Sequence, residues 1–541
     1  MRAAARLAGV ALAAALLWPA GAPAHQRRRD QRAGGHHHRA GGRRHRAAGR
    51  HHHRPRHGAA GWPVFDVSAT PNLAEGEETV AFNPTNPRDV IVGSNQWQPL
   101  YYGSGQDYIG LGPSGFTRCA VWSSLDGGRT WRGGAMMDRG LAPVANPLPV
   151  PGVPAEFDDP GNVFSADQYT VFDRRGTAYY TCLDFGVGTG VEVIDVWRSG
   201  DGGRHWSAPV AAFTQTDQDN RQMDRPFLAL DQSGGPRDGT LYIAWERIFY
   251  DPLTPEVFVR SSTDGGRTWG SVTRVDDPQH PSMMDARLFP MVGGDGTLYV
   301  LYDSATLRTE FNWLPQVQSP SLVLASSTDG GATFTYHWVA RDIPAPTPPD
   351  EAEIELTEFI ASMAADPRRA GRVAVAWPQM VDGASRILLR SSLDGGRSWS
   401  APLDVADDPA GRPYPPEQTA GVVYPPGAGN EHDHVMLRYL PDGRIVVVWR
   451  DRRYTGGSWA QPWDVFARVV RIGRDGSLLP GRTVRVTVHS EPPSTTHRGH
   501  MPSEYLGLAV SARGIGVSWE EMRGLYPDDV YRFIPLAAFG G

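Results

Sequence analysis

The sequence predicts an all-β fold, namely a β-propeller of seven four-stranded blades or, alternatively, of six. Two phrases of sequence support this prediction, because each recurs along the chain at a spacing that suits one blade. The composition agrees, since 62 glycines and 46 prolines among 541 residues are typical of a turn-rich β protein. Repetition at this period indicates similar units that pack side by side.

The first phrase is an eight-residue segment, which we call the repeat turn. Its fullest copy is Ser-Thr-Asp-Gly-Gly-Arg-Thr-Trp at residues 262–269. The aspartate can accept backbone N–H groups, the glycines can adopt positive φ, and the final aromatic residue can pack between neighbouring blades. The five copies therefore predict rigid hairpin connections. Their aspartates stand at positions 126, 201, 264, 329 and 394, in steps of 75, 63, 65 and 65 residues.

The second phrase consists of an acidic residue, an apolar strand, a turn and a second strand that ends in an aromatic residue. In one copy, residues 224–230 lead through a Gly-Gly-Pro turn to residues 241–245. The alternation and the short spacing predict paired antiparallel strands. This phrase occurs seven times, which is why we expect seven blades. The copies begin near Glu78, Asp167, Asp224, Asp285, Glu358, Asp433 and Glu504.

The two ends of the predicted propeller complete each other. After the seventh copy, residues 530–535 can form a third strand, but the chain ends before a fourth. Residues 63–68 precede the first copy and can supply that strand. We therefore expect the termini to pair and close the ring, which removes the exposed edges of an open array.

The amino terminus is predicted to lie outside the propeller, which we place at residues 61–541. Residues 1–24 resemble a secretory signal, with Arg2 and Arg6 before an apolar run that is too short to span a bilayer. Residues 25–60 form a linker rich in His and Arg that lacks the apolar residues of a core, so we expect disorder. Its alternative roles are a spacer, a tether to an anionic cell surface or a metal scavenger.

Charge and cysteine content restrict the partners and the compartment. Beyond residue 57 the chain has 40 basic and 58 acidic residues, and this acidic body argues against a nucleic-acid partner. Cys119 and Cys182 lie in strand-like segments of adjacent repeats. In an oxidising compartment they can form a disulfide between blades; two buried free thiols are the alternative. We expect a secreted monomer.

The repeat turn resembles the Asp-box, or BNR repeat, of the sialidase-like β-propellers. The resemblance rests on Ser-x-Asp-x-Gly-x-Thr-Trp and implies that the turn joins the third and fourth strands of a blade as a structural element. It also implies glycoside hydrolysis by an arginine triad, a tyrosine nucleophile assisted by a glutamate, and an aspartate acid/base. Sialidases of this type have six blades and an Arg-Ile-Pro motif before the first box. Here that motif is absent, and only residues 531–535 near the other end resemble it.

Candidate site residues lie where first strands begin and second strands end, which we call the funnel face. Paired carboxylates and arginines there suit glycoside hydrolysis. The alternative is that each carboxylate only bonds backbone N–H groups. The catalytic candidates are Glu504, Tyr505, Asp224 and Asp285, and the substrate-binding candidates are Arg225, Arg287, Arg450 and Arg523.

Histidines on the same face are weaker candidates for a metal site. His432 and His434 flank Asp433, and His497 and His500 follow in the next connection between blades. Imidazole and carboxylate together suit a divalent metal ion, although the spacing matches no fixed metal motif and exposed loop histidines are the alternative. No cofactor is required by the predicted chemistry.

Two functions remain open from the sequence. One is a secreted glycoside hydrolase of exo-sialidase type that acts on glycans, as the resemblance implies. The other is a non-catalytic propeller that binds a cell-surface glycan or protein, because one fold hosts many functions.

Overall fold

The computed structural model describes residues within Arg56–Gly541, which form one compact unit. The predicted signal segment and most of the predicted linker lie outside the described residues, so those boundaries stay predictions. The described ranges are 56–57, 61–69, 74–97, 100–102, 106–108, 117–135, 163–186, 191–216, 221–250, 253–283, 288–304, 320–344, 361–382, 384–407, 432–454, 462–491, 505–523 and 527–540.

Seven antiparallel sheets form seven blades, which we number in chain order. The predicted count of seven is confirmed, and the alternative count of six is wrong. Blade 1 contains Ala74–Phe82, Val90–Trp97, Thr117–Ser124 and Arg132–Ala135; blade 2 contains Val163–Phe172, Ala178–Gly186, Val191–Ser199 and Val210–Thr216; blade 3 contains Arg221–Leu230, Leu241–Tyr250, Leu253–Ser262 and Thr273–Arg274.

The remaining blades repeat this order. Blade 4 contains Phe289–Val292, Leu298–Ser304, Ser321–Ser327 and Thr335–Ala340; blade 5 contains Ser362–Ala365, Val373–Val381, Ala384–Ser392 and Leu403–Asp404; blade 6 contains His432–Tyr439, Ile445–Asp451, Asp464–Ile472 and Leu478–Arg485; blade 7 contains Gly507–Val510, Gly514–Met522, Pro527–Pro535 and Pro63–Asp66. A small hairpin, Leu100–Tyr102 with Gln106–Tyr108, and a 3-10 turn at Leu536–Phe539 complete the described elements.

The first strands of the blades surround the axis. Each contacts the first strand of the next blade, and that of blade 7 contacts that of blade 1, which closes the ring. Apolar residues of the second and third strands pack between the blades, including the fully buried Trp245, Trp377, Trp449 and Trp519 of the second strands. Among the described residues there is no helix whose length and apolar character would let it cross a membrane.

The ends of the chain meet in blade 7, as predicted. Val64 pairs with Arg532 and Phe65 with Tyr531, so Pro63–Asp66 forms the outer strand beside Pro527–Pro535. Val67 continues the contact by donating its N–H to the carbonyl of Asp529 at 2.9 Å. Arg56–His57 adds a short fifth strand outside Pro63–Asp66.

The repeat turns lie between third and fourth strands, on the side opposite the funnel face. In the third copy, Asp264 accepts the backbone N–H groups of Arg267 and Thr268 at 2.9 Å and the Thr268 hydroxyl at 2.6 Å. Ser262 donates to Asp264 and accepts the N–H of Gly266, which has φ of 76°. The Thr268 hydroxyl and N–H lower the pKa of Asp264, so the carboxylate stays ionised and the turn stays bonded at neutral pH.

Cys119 and Cys182 form a disulfide with a Cα–Cα distance of 6.3 Å. The bond joins the third strand of blade 1 to the second strand of blade 2, in the buried layer between them. The disulfide alternative is therefore the correct one, and the free-thiol alternative is wrong.

Deleting residues 58–70 is expected to abolish cooperative folding or to lower the melting temperature markedly, because it removes the closing strand and exposes the edge formed by Pro527–Pro535. Thermal unfolding followed by circular dichroism measures the effect. A deletion of residues 26–55, within the predicted linker, serves as the control and should leave the melting temperature unchanged. Equal melting temperatures for both deletions would contradict the role of the closing strand.

Replacing Asp264 by Ala is expected to lower the free energy of unfolding by about 1–3 kcal/mol, because the backbone N–H groups of the turn lose their acceptor. Thr263→Ala changes an exposed side chain in the same turn and should have little effect. Chemical denaturation of both variants gives the comparison. Any ligand binding or turnover should be unchanged in both, since the turn lies far from the funnel face.

Candidate functional site

Four first strands bulge at the funnel face and place a non-glycine residue at positive φ. These residues are Glu77, Asp167, Arg225 and His434, with φ between 47° and 62°. The strand register shifts at the same points in blades 1, 2, 3 and 6. Such bulges redirect side chains and store strain, and they cluster at functional sites.

The bulges show that the acidic residues at which the copies of the second phrase begin do not all occupy equivalent positions in their strands. The sequence copies align Glu78, Asp167, Asp224 and Asp433, whereas the structurally equivalent positions are those of Glu77, Asp167, Arg225 and His434. A bulge adds one residue to one strand, so counting by two along the sequence cannot fix which side chain occupies a position. The predicted ring members Asp285, Glu358 and Glu504 lie outside the described residues.

Arg225 and Tyr505 meet across the propeller axis. Arg225 belongs to the first strand of blade 3 and Tyr505 lies just before that of blade 7, with two blades between them on the shorter side of the ring. The Arg225 Nε donates to the Tyr505 hydroxyl at 2.6 Å, and its Nη1 donates to Asp224 at 2.8 Å. The Arg225 backbone N–H donates to Asp167 at 3.2 Å. Residues from three blades thus form one polar cluster at the axis.

Aromatic side chains meet near the axis beside this cluster. Phe227 contacts Tyr505, Tyr169 and Phe289, with ring centroids 5.6, 4.8 and 5.5 Å apart. Arg438 of blade 6 donates to the Tyr169 hydroxyl of blade 2 at 2.9 Å and adds a second contact across the ring. Side chains from five blades therefore meet near the axis, next to the Arg225 cluster.

A second cluster fills the funnel side of blade 6. The two carboxylate oxygens of Asp433 accept Arg450 Nε and Arg452 Nη1, each at 2.7 Å, and all three side chains are buried. His434 contacts both Asp433 and Arg450, and the Arg450 guanidinium lies 5.3 Å from the centre of the Trp463 ring. Burial alone would raise the pKa of Asp433, but the charges of Arg450, Arg452 and His434 hold it well below its usual range.

His432 belongs to a separate network behind the same strand. Its Nδ1 lies 2.7 Å from the carbonyl of Ser385 and its Nε2 lies 3.1 Å from Asp451. Asp451 also accepts Trp449 Nε1 and the Arg453 guanidinium. Burial opposes ionisation, yet His432 and Arg453 lower the pKa of Asp451. His432 and His434 are both fully buried in these ion pairs, and the metal role predicted for them stays a prediction.

Carboxyl groups near blades 7 and 1 have raised pKa values, in contrast to Asp433 and Asp451. Burial, followed by the nearby Glu521 carboxylate, raises the pKa of Glu491 to about 9, while the Trp519 indole N–H opposes the rise. Burial and the charges of Glu78 and Glu75 likewise raise the pKa of Asp529 well above its usual range. Both shifts favour the protonated form, and the pKa of Glu491 lies above neutral pH.

The predicted site residues therefore separate into groups. Asp224, Arg225 and Tyr505 come together at the axis. Arg450 lies in the Asp433 cluster, and Arg523 pairs with Asp66 at 2.8 Å and with Glu521 at 3.1 Å. The others, Glu504, Asp285, Arg287, His497 and His500, lie outside the described residues.

Sequence reasoning missed several residues that contact these groups, chiefly Trp463, His489 and Glu491. Trp463 and Glu491 pair through both backbone N–H groups, at 2.9 and 2.7 Å, although each lies beyond a regular strand. The available signal was a His-Ser-Glu segment directly after the last strand of blade 6 on a funnel connection. No repeat marks it, so it could not be singled out.

Replacing Asp433 by Asn is expected to lower the free energy of unfolding by about 3–5 kcal/mol, because it leaves Arg450 and Arg452 buried without their counter-charge. Since the pKa of Asp433 is lowered, the wild-type advantage is complete at neutral pH and decreases only below the usual aspartate range. Urea denaturation at pH 7 measures it. Asp407→Asn, at a 40% exposed partner of Arg453, is the matched control and should cost less than about 1 kcal/mol. Equal costs would contradict a strongly coupled cluster.

Comparison with known proteins gives a relative with a named activity. A sialidase of Micromonospora viridifaciens is 24% identical over 330 residues, which cover 59% of this chain and 46% of that protein. The chain thus spans less than half the length of this curated relative. No protein-family profile matches the chain.

Solved structures with the same kind of fold are more distant in sequence. A protein of unknown function from Dyadobacter fermentans is 12% identical with a TM-score of 0.44, covering 87% of this chain and 97% of that one. The NanB sialidase of Streptococcus pneumoniae is 12% identical with a TM-score of 0.37, covering 87% and 70%. An α-L-arabinofuranosidase of Fusarium graminearum is 13% identical with a TM-score of 0.37, covering 70% and 94%. The chain therefore has the fold of a closed, seven-bladed β-propeller, and it is similar in sequence to a sialidase.

Proposed function

We propose that the protein is a glycoside hydrolase of exo-sialidase type that acts on glycans, with Tyr505 as its nucleophile. The observation that carries this proposal is the hydrogen bond between Arg225 and Tyr505 across the propeller axis. A tyrosine hydroxyl is a weak nucleophile unless negative charge on its oxygen is stabilised. The Arg225 guanidinium is placed to do so through a charge-assisted hydrogen bond.

The funnel geometry supports attack on a bound sugar. The Tyr505 ring is held edge-on against Phe227, and Arg225 is held by Asp224 and Asp167. Both partners of the hydrogen bond are thereby oriented before substrate binds, which lowers the entropic cost of reaching a reactive geometry.

The proposed reaction has two steps. The Tyr505 oxygen attacks the anomeric carbon as the glycosidic C–O bond breaks, its proton passes to a nearby carboxylate, and a carboxylic acid protonates the leaving oxygen. Water then attacks the same carbon and releases Tyr505. Asp224 and Asp167 are the described carboxyl groups at this position. Glu504 and Asp285 remain candidates for acid and base roles, and Arg287 for substrate binding.

Sialic acid carries a carboxylate, and a cationic funnel residue would recognise it. The Micromonospora relative is named a sialidase, which agrees with this substrate class. The predicted signal segment suits an enzyme that meets cell-surface glycans, and the basic linker could hold it at an anionic surface. The acidic body argues against nucleic acid, and the proposed chemistry requires no cofactor.

A non-catalytic glycan-binding or protein-binding propeller is the second candidate. The observation in its favour is that Arg450 and Arg523 do not join Arg225 around one point. Arg450 shares Asp433 with Arg452, and Arg523 bonds Asp66 and Glu521, so these guanidinium groups already have buried anionic partners. A binding protein needs shape and polar contacts on the funnel face but no activated nucleophile.

The test is hydrolysis of fluorogenic sialosides and arabinofuranosides by the full chain and by Tyr505→Phe. This change removes the hydroxyl and keeps the ring against Phe227, so turnover should fall roughly a hundredfold or more while the fold survives. Tyr242→Phe is the matched control. Tyr242 is also buried, and its hydroxyl has no hydrogen-bond partner within the described part of the chain, so the control should retain full turnover.

Turnover that survives in Tyr505→Phe would overturn the nucleophile assignment. If no glycoside is hydrolysed by the wild-type chain, but glycan-array binding is detected and is lost on Arg225→Ala, the binding function replaces the catalytic one.

A further inference from the structure

His489, Glu491 and Glu521 bring three potential metal ligands together on the funnel face. One nitrogen or oxygen atom from each lies within 4.8 Å of those of the other two. His489 and Glu491 follow the last strand of blade 6, and Glu521 lies near the end of the second strand of blade 7. The cluster therefore joins the connection between two blades to the body of the second blade.

Glu491 is the member of the cluster that points to a ligand. It is 1% exposed, yet neither carboxylate oxygen has a hydrogen-bond partner of good geometry among the described residues. The nearest donors are His489 Nε2, which lies 3.4 Å from Oε1, and the Trp519 indole N–H. Glu521 is equally buried, and its Oε2 also lacks a partner there. Buried carboxylate oxygens normally accept well-formed hydrogen bonds, so three neighbouring acceptors without one need an explanation.

The donor set suits a particular class of cation. One imidazole nitrogen and two carboxylates match the ligands that Mn²⁺ and Zn²⁺ take in proteins, whereas Ca²⁺ requires six or more oxygen ligands. His489 is 42% exposed, which gives the cation a path from solvent and leaves room for water ligands. Arg523 reduces the local negative charge through Glu521 Oε1, but it leaves Glu521 Oε2 and both oxygens of Glu491 available.

We propose that His489, Glu491 and Glu521 bind a divalent transition-metal ion that fastens the connection between blades 6 and 7 to the second strand of blade 7. This site differs from the one suggested by His432, His434, His497 and His500 in the sequence. The inference does not depend on glycoside hydrolysis.

The cation would also stabilise the position of Trp463 beside the Asp433 cluster. Glu491 pairs with Trp463 through two backbone hydrogen bonds, and the Trp463 ring lies against the Arg450 guanidinium. A metal ion that holds Glu491 therefore holds Trp463, and through it one side of the Asp433 cluster. Its expected role is structural support, since no described residue of the Arg225 cluster is a ligand.

The experiment titrates Mn²⁺ into the full chain after removal of metals with EDTA and dialysis. Mn²⁺ is chosen because it binds histidine-rich segments more weakly than Zn²⁺ does, which limits the background from the amino-terminal histidines. Binding is followed by the melting temperature and by the electron paramagnetic resonance signal of free Mn²⁺. The wild-type chain should bind with a dissociation constant below about 1 mM and melt at a higher temperature with the ion.

Two ligand variants and one matched control complete the experiment. Glu491→Gln keeps the size of the side chain, and His489→Ala changes a partly exposed residue, so both should fold. In each variant, the Mn²⁺ concentration that gives half of the increase in melting temperature should rise at least tenfold. His205→Ala removes a histidine that pairs with one carboxylate, Asp201, in a repeat turn, and it should behave as wild type.

Failure of Mn²⁺ to raise the wild-type melting temperature would overturn the site. An unchanged response in both ligand variants would do so as well, because it would assign the binding to other histidines. A response that is lost in Glu491→Gln and His489→Ala but kept in His205→Ala supports the proposal.

Discussion

Closure of the ring is the constraint on which the other features depend. The first strands surround the axis as a closed ring, and the last blade of that ring takes its outer strand from the opposite end of the chain. Closure places Tyr505, near the carboxyl end, opposite Arg225 in the middle of the sequence. In an open array these residues would belong to separate blades with no reason to meet. The polar cluster at the axis is thus a consequence of topology, since no local segment contains it.

The repeat turns and the bulges lie at opposite ends of the blades that contain them. On one side, the turn aspartates accept backbone N–H groups of the same turn, which makes the hairpins rigid. On the funnel side, Glu77, Asp167, Arg225 and His434 adopt positive φ, which a non-glycine residue takes only when its surroundings enforce it. The rigid turns on one side support bulged strands on the other, and the bulges hold side chains in positions that regular strands do not allow.

The elements of the fold could be predicted from the sequence because their signals are local. The Asp-Gly-Gly turn recurs in the first phrase, and a strand that ends in an aromatic residue such as Trp245 or Trp449 recurs in the second. The incomplete blades at the two termini predicted that the termini pair. The site could be predicted only in part. Pairing Asp224 with Arg225 required only neighbouring residues, but the contact of Arg225 with Tyr505 depends on the ring, and a bulge displaced the carboxylate register by one residue. Glu491 was missed because its position depends on a single backbone bridge to Trp463.

The funnel carboxyls differ because their surroundings differ, even though they share a face and a chemistry. Asp433 is surrounded by two guanidinium groups and an imidazole, so its charge is fixed and its role is to hold those cations in place. Glu491 and Asp529 are buried beside other carboxyls, and burial together with those charges raises their pKa values and favours the protonated form. Asp167 and Asp224 retain partial exposure beside Arg225 near the axis. Of these groups, only this last pair combines partial exposure with contact to the Arg225 that bonds Tyr505, so the proposed hydrolysis would exchange protons at this pair.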